Sequence, residues 1–413
     1  MQVMNECCCG IDVHKKMIVA CLLKGKAGEE PKKTIRRFPT MTCDLLRFRD
    51  WLLSEACTHV AMESTSVYWK PVFNIIEDCV EVILGNAREI KNVPGRKTDI
   101  KDCQWIAALL RHGLIKASFI PPKPIRELRD LTRYRHKLIQ CRSSEINRIQ
   151  KNLEDANIKL SSVVTDITGK SAQEMILHLI KKDMAPKQMA DLAKGRLRKK
   201  VTELEKALQG NVKDHQRLIL QISIQMISYY DLSIEKLNRE IDKRMEPYQK
   251  EVELLRTIPG VQKKTSEVII AEIGTDMSRF PSERHLSSWA GLSPGNNESA
   301  GKRKSGKTTK GNIYLKSILT ESSWAVSRAK DTYLQARYKR LSFKRGKKRA
   351  AIAIGHSILV STYYIIKDHR CYVERGANFF DRSNELKLLK NLTKRIQKLG
   401  YRVETKKNMR KSA

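Results

Sequence analysis

Long apolar runs are missing from this 413-residue chain. No stretch approaches 18 uninterrupted apolar residues, so a transmembrane helix is not expected. The opening MQVMNECCCGIDVHKK lacks the charged-then-apolar layout of a secretory leader, so secretion is not expected either. Acidic residues are scarce: 45 Asp and Glu stand against 80 Lys and Arg, which leaves a formal charge of +35 and a pI near 9.9. The cations are spread along the chain and flank no apolar span, which indicates nucleic acid before membrane. The ten cysteines lack the paired spacing of a zinc site, and nine fall before residue 142. The run Cys7, Cys8, Cys9 lies on an expected buried strand. It suits apolar filler in a reducing cytosol better than disulfides. What the chain does have is length for two or three domains and 41% hydrophobic residues to give them cores.

Residues 7–120 alternate in pattern. Strands are expected at 8–13, 17–23 and 34–38, a helix at 41–56, a strand at 59–62, a helix at 67–78, a strand at 81–84 and a helix at 99–112. Three strands followed by alternating helices and strands imply a mixed sheet with flanking helices. Pro121, Pro122 and Pro124 close that domain. From about 125 to 250 the chain reads as helical. Ile139, Ile146, Leu153 and Leu160 repeat at seven residues, as do Leu220, Ile227, Ile234 and Ile241. Such heptads predict a coiled coil, within the chain or between subunits; the alternative is two amphipathic helices packed on a globular core. Residues 169–195 read as a loop with short helices. From 251 the pattern is helix, Pro-Gly turn, helix, which resembles a helix-hairpin-helix. Gly260 and Lys263 there are candidates for holding a DNA phosphate. Further helices are expected at 313–328 and 348–368, and a basic, weakly periodic, partly disordered tail from 371.

Four carboxylates stand out against the positive charge. Asp12 ends the first strand and Glu63 follows the strand residues 60–62, so each marks a strand's carboxyl end. Asp99 and Asp102 lie three apart at a helix start, hence on one face. Capping and dipole effects also favour Asp at a helix start. Asp12 inside an apolar strand needs another explanation, because a buried unpaired carboxylate is costly. Together the four have the ligands for two Mg2+ ions roughly 3.5–4 Å apart, the arrangement that serves phosphodiester cleavage. The strand order and these positions resemble the RNase H-like fold, in its Holliday-junction resolvase (RuvC-like) branch.

The segment 289–306 combines flexible backbone, serines and clustered cations. Serine is a weak nucleophile without activation, and Lys302, Arg303, Lys304, Lys307 and Lys310 are placed to neutralise a phosphate. By chemistry alone this segment is equally an ordinary phosphate-gripping loop.

From the Gly10–Ile11–Asp12 opening through Gly311–Asn312 to the apolar helix at 350–364, the chain resembles insertion-sequence transposases with an Asp-Glu-Asp-Asp tetrad. That group includes the Piv-type DNA invertases and the bridge-RNA-guided recombinases. The resemblance implies four parts: a RuvC-like α/β catalytic domain (1–122), a helical coiled-coil domain (123–250), a mainly α transposase domain with the serine loop (251–370) and a basic tail (371–413). It implies that Asp12, Glu63, Asp99 and Asp102 hold Mg2+, or Mn2+ in its place, and that a serine joins covalently to DNA. The matching residue is Ser299, although Glu298 and Ala300 depart from the commonest pattern, and the alignment can slip to Ser293 or Ser305. It further implies donor and target double-stranded DNA, a guide (bridge) RNA, a dimer of dimers and a cytoplasmic, nucleoid-associated place in a prokaryote. Two other readings stand beside it: a junction nuclease using metal-bound water, and a non-catalytic nucleic-acid-binding relic.

Overall fold

The computed structural model describes residues 2–64, 67–86, 99–295, 297–299, 302–380 and 385–404; for 99–100, 297–299, 302–305 and 386–388 it describes the backbone alone. The chain divides into two compact units, Met1–Ile120 and Pro121–Ala413.

The first unit holds a mixed five-stranded sheet. Strands β1 (Cys7–Val13), β2 (Met17–Lys24), β3 (Lys32–Pro39), β4 (His59–Glu63) and β5 (Glu81–Gly85) lie in the order β3-β2-β1-β4-β5. β1–β2 and β2–β3 are antiparallel, whereas β1–β4 and β4–β5 are parallel. β1 and β2 read as near-continuous apolar runs because both faces of the sheet are covered. Cys9, Ile11, Val60 and Met62 pack against helices α1 (Thr42–Ser54) and α2 (Trp69–Ile76) on one face. Cys8, Val19, Cys21 and Ala61 pack against Cys103, Ile106, Ala107 and Leu110 of α3 (Asp99–Arg111) on the other. Each expected strand and helix of residues 7–112 is present, with ends moved by only a few residues. All ten cysteines are free thiols. Burial pushes the Cys8 thiol up to about 12 and also raises those of Cys7 and Cys9, so the triplet packs as apolar filler.

The second unit begins with α4 (Lys123–Asp155), which has Pro in its first turn where no amide partner is needed. It pairs with α6 (Asp214–Met245). Asn152 reaches the Gln216 carbonyl, Ser223 donates to Glu145, and Arg142 and Arg135 donate to Asp231 and Asn238. As one number falls the other rises, so the two helices form an antiparallel hairpin within the chain. The heptads only partly mark its seam. Leu153, Leu220, Ile227 and Ile241 are buried, but Ile139 is exposed and Leu160 lies beyond the end of α4. Thr132, Arg135 and Glu145 take buried places on α4 because each is hydrogen-bonded.

Residues 169–195 are more ordered than a loop. They contain α5 (Lys170–Lys181), whose Ala172, Met175, Ile176 and Leu179 enter a core with Leu153, Leu204 and Leu220. Next come α7 (Gln249–Arg256), α8 (Lys263–Ile273), α9 (Glu283–Trp289), the two-stranded β6 (Asn297–Ser299) and β7 (Lys302–Ser305), α10 (Ile313–Arg328), α11 (Tyr333–Arg345) and α12 (Lys347–Asp368). α12 is long and apolar enough to cross a membrane by length and composition, yet 56% of that window is buried within the unit. Ala351, Ile354, Ile358 and Leu359 are wholly inside, as in a core helix. In the described part of the tail lies the helix α13 (Glu385–Lys398).

Candidate active site

The sheet register places Asp12 and Glu63 together. β1 and β4 are parallel, with Ile11 opposite Met62, so Asp12 and Glu63 are the next residues on neighbouring strands about 4.8 Å apart. Ile11 and Met62 face α1 and α2, and alternation therefore turns both carboxylates to the α3 face. α3 descends on that face against β1. Asn5 donates to the Leu110 carbonyl, the Cys8 thiol to the Ala107 carbonyl, and Gly10 lies against Cys103 and Ala107. Asp102 immediately precedes Cys103 on α3, and Asp99 begins the helix one turn before it. The charge of Asp12 contributes to raising the Cys103 thiol, after the Cys21 hydrogen bond, burial and Cys21 itself, which places Asp12 beside the first turns of α3.

Gly10 makes this approach close. A Cβ at residue 10 would lie 2.2 Å from the Ala107 nitrogen and 2.4 Å from the Cys103 carbonyl oxygen, so backbone meets backbone there. Asp12 is neither unpaired nor wholly buried. Its side chain is 18% exposed, and its Oδ2 lies 3.1 Å from His14 Nε2. His14 looks in the sequence like part of a polar turn; its position two residues on from Asp12 is the signal for this pairing. Asp102 is half-buried on α3, and the side chain of Asp99 lies outside the described residues. The donors are carboxylate oxygens with one imidazole nearby, a set that suits Mg2+ or Mn2+ better than a thiolate-bound metal. Among the described residues no three His, Cys, Asp or Glu side chains close on one point.

In the second unit, the described residues between 291 and 311 pair as the two sides of a hairpin. Gly295 N donates to the Lys307 carbonyl at 2.9 Å, Pro294 bridges to Thr308, and Ser299 pairs with Lys302. Ser299 thus ends β6 two residues short of β7. Its side chain lies outside the described residues, as do those of Lys302, Arg303, Lys304 and the alternative Ser305; Ser293 is half-buried in the stem. Lys307 and Lys310 are exposed. At the base Gly291 (φ +70°) touches Gly311, where a Cβ on Gly311 would lie 2.3 Å from the Gly291 nitrogen.

A buried ion network anchors that base. Glu272 is completely buried on α8 and receives Arg133 through two bonds of 2.7 and 2.8 Å. Arg129 Nε lies 3.4 Å from it, and Asn312 Nδ2 donates to it at 2.5 Å. Burial, against the pull of Glu272, brings Arg129 down to about 10. Asn312 Oδ1 also accepts from the Tyr314 and Leu315 amides and so caps α10. Glu267 pairs with Arg135 in the same way at 2.8 Å. Sequence reading takes 265–273 as an apolar helix and passes over both glutamates. Two Glu inside an apolar helix, with an Arg-rich helix elsewhere, were the available signal.

The Pro-Gly turn between α7 and α8 has the expected form, with Gly260 at φ +83°. Its Cα abuts Ser322 and Val326 of α10 (a Cβ would lie 2.7 Å from Val326 Cγ2), and the Lys263 ammonium is 2.7 Å from Asp242. The lack of a side chain at Gly260 thus lets the turn lie close on α10.

Two transposase family models match this chain. One, for transposases with an Asp-Glu-Asp-Asp set of the IS110 group, covers residues 9–158 and so includes all four carboxylates. The other, for transposases of the IS116/IS110/IS902 family, covers residues 252–339 and includes the serine hairpin. The pilin gene-inverting proteins of Moraxella bovis and Moraxella lacunata are each 35% identical over 125 residues, 30% of this chain. The matched segment spans 38% of the length of each of these relatives.

Proposed function

Since this chain belongs to the IS116/IS110/IS902 transposase family, we propose that it is a site-specific DNA recombinase that cuts and rejoins the ends of an insertion sequence. The first unit acts as a RuvC-like, RNase H-like domain, with boundaries at 122, 250 and 370 for the parts that follow. The observation that carries this reading is the pair Asp12 and Glu63 at adjacent strand ends, with α3 lying over them.

Asp12, Glu63, Asp99 and Asp102 would hold the divalent metal, which when bound neutralises charge developing on the phosphate. His14 keeps Asp12 oriented until then. Ser299 supplies the nucleophile: its Oγ bonds to the scissile phosphorus, its proton passes to a base, and the deoxyribose oxygen leaves. Rejoining reverses these steps, with a hydroxyl of the new strand displacing Ser299 Oγ. The hairpin's paired stem and the Gly291–Gly311 contact hold that serine on a stiff arm. Lys302, Arg303, Lys304, Lys307 and Lys310 offset phosphate charge. Recruitment of a guide RNA and assembly as a dimer of dimers rest on the family resemblance, and the net charge of +35 suits the former.

Strand cleavage on DNA bearing the gene's own flanking junction tests this reading. Asp12→Asn and Ser299→Ala should each abolish it, and chelation should stop cleavage while DNA binding persists. Full cleavage by Ser299→Ala would identify a nuclease using water.

A further inference from the structure

Phe343 is 93% exposed, more than any other large apolar side chain among the described residues. It lies in the last turn of α11, whose core side is formed by Leu334 and Tyr338. Lys339 and Arg340, four and three residues earlier, share its face, and Lys344, Arg345, Lys347, Lys348 and Arg349 follow it. All are exposed, and no Asp or Glu occurs from residue 332 to 367. Three of these cations stand in the first turn of α12, where the helix dipole disfavours positive charge. Their placement works slightly against helix stability, so they do not serve to stabilise α12, and with Phe343 they form a basic surface open to a partner.

The partner must be polyanionic and must offer an apolar face to one ring. A phenyl group has no donor or acceptor, so it reads no base edge; it takes a base's π-face. In a duplex that face is covered by the neighbouring base pairs, whereas an unpaired base leaves it open. An anionic bilayer would also attract the cations, but it needs a wider apolar surface, and here Leu334 and Tyr338 are turned inward. We propose that the α11–α12 junction binds an unpaired nucleic-acid strand, with Phe343 stacking on a base and the surrounding cations on its phosphates. The proposal rests on the recombinase reading and adds to it a second binding surface outside the serine hairpin. DNA and RNA strands share the chemistry it recognises.

Fluorescence anisotropy with the full chain tests it, using labelled oligothymidylate, oligouridylate and a duplex. Phe343→Ala should weaken binding to the single strands about fivefold or more, Phe343→Trp should retain it, and the duplex should change less than twofold. The oligothymidylate and oligouridylate arms separate DNA from RNA as the natural strand. Replacing Lys347 and Lys348 with Glu should flatten the salt dependence by roughly 0.7 per cation removed. Thermal melting should be unaltered in Phe343→Ala, because the ring has no place in the core. Single-strand binding at wild-type strength in Phe343→Ala overturns the site, as does an equal loss on duplex, or tighter binding to phosphatidylserine vesicles than to either strand. Those results together with wild-type covalent adducts on DNA would leave the recombinase reading standing. A wild-type protein that binds strands through Phe343 yet forms no adduct would sink that reading alone.

Discussion

Substituting Gly10 with Ala should damage the candidate site without touching a carboxylate. The added Cβ would lie 2.2 Å from the Ala107 nitrogen, where ordinary contact begins near 3.4 Å. α3 must therefore withdraw by about 1.2 Å, since neither backbone can rotate out of the way as a side chain would. Withdrawal loosens Cys103, Ile106, Ala107 and Leu110 against Cys8, Val19 and Ala61. Overpacking of this kind costs about 3 kcal/mol or more when backbone has to move. In a unit of this size that lowers the melting midpoint by about 10 °C. It also carries Asp99 and Asp102 away from Asp12 and Glu63, and a misplacement near 1 Å costs about a hundredfold in rate. Calorimetry with hydrogen exchange on α3 would measure the first effect, and cleavage of junction DNA the second. Gly306→Ala, where a Cβ meets nothing within 4 Å, serves as the stability control. A Gly10→Ala protein with an unshifted midpoint and full amide protection in α3 would refute the packing argument.

Two further outcomes follow from the second unit. Glu272→Ala removes the carboxylate partner of Arg129, which keeps its bonds to the carbonyls of residues 271 and 272, and of the half-buried Arg133, and should cost about 3 kcal/mol, while Glu272→Gln should fold better yet slow adduct formation, because the hairpin base keeps only its neutral partner. Chemical denaturation and adduct yield would report the two effects. His356, on α12, has its pKa held below the usual 6.5 by burial and by Arg337 nearby. The unfolded chain therefore binds that proton more readily. Its contribution to stability is complete above 6.5 and is lost as pH falls through the lower folded value. Melting between pH 7 and 5 should show this loss, and His356→Gln should reduce it.

The sheet was readable from the sequence because β1, β2 and β4 are short apolar runs bounded by polar turns. Their carboxyl ends then pointed to Asp12 and Glu63. The hairpin of α4 and α6 was only partly readable, because Thr132, Arg135 and Glu145 occupy buried positions that an apolar count leaves out. α5 was legible only as one of the short helices expected in a loop, since its apolar residues have no partner in the local sequence; they pack on Leu153 and Leu220 from distant helices. The 291–311 segment reads as flexible from its Gly and Ser content. Its base is fixed by Gly291 meeting Gly311 and by Asn312 reaching Glu272, contacts that no local pattern encodes. The exposure of Phe343 was likewise invisible, since a Phe three residues before a Gly normally suggests burial at a helix end.

The central claim, that carboxylates in the first unit and a serine in the second serve one reaction, is tested most directly by mapping a covalent product. Junction DNA is incubated with the protein and Mg2+, digested, and the modified peptide is sequenced by mass spectrometry. The account predicts a phosphodiester-linked nucleotide on Ser299, absent when Asp12 is replaced by Asn. Metal-dependent cleavage with no protein-bound nucleotide, or a nucleotide bound elsewhere, would contradict it.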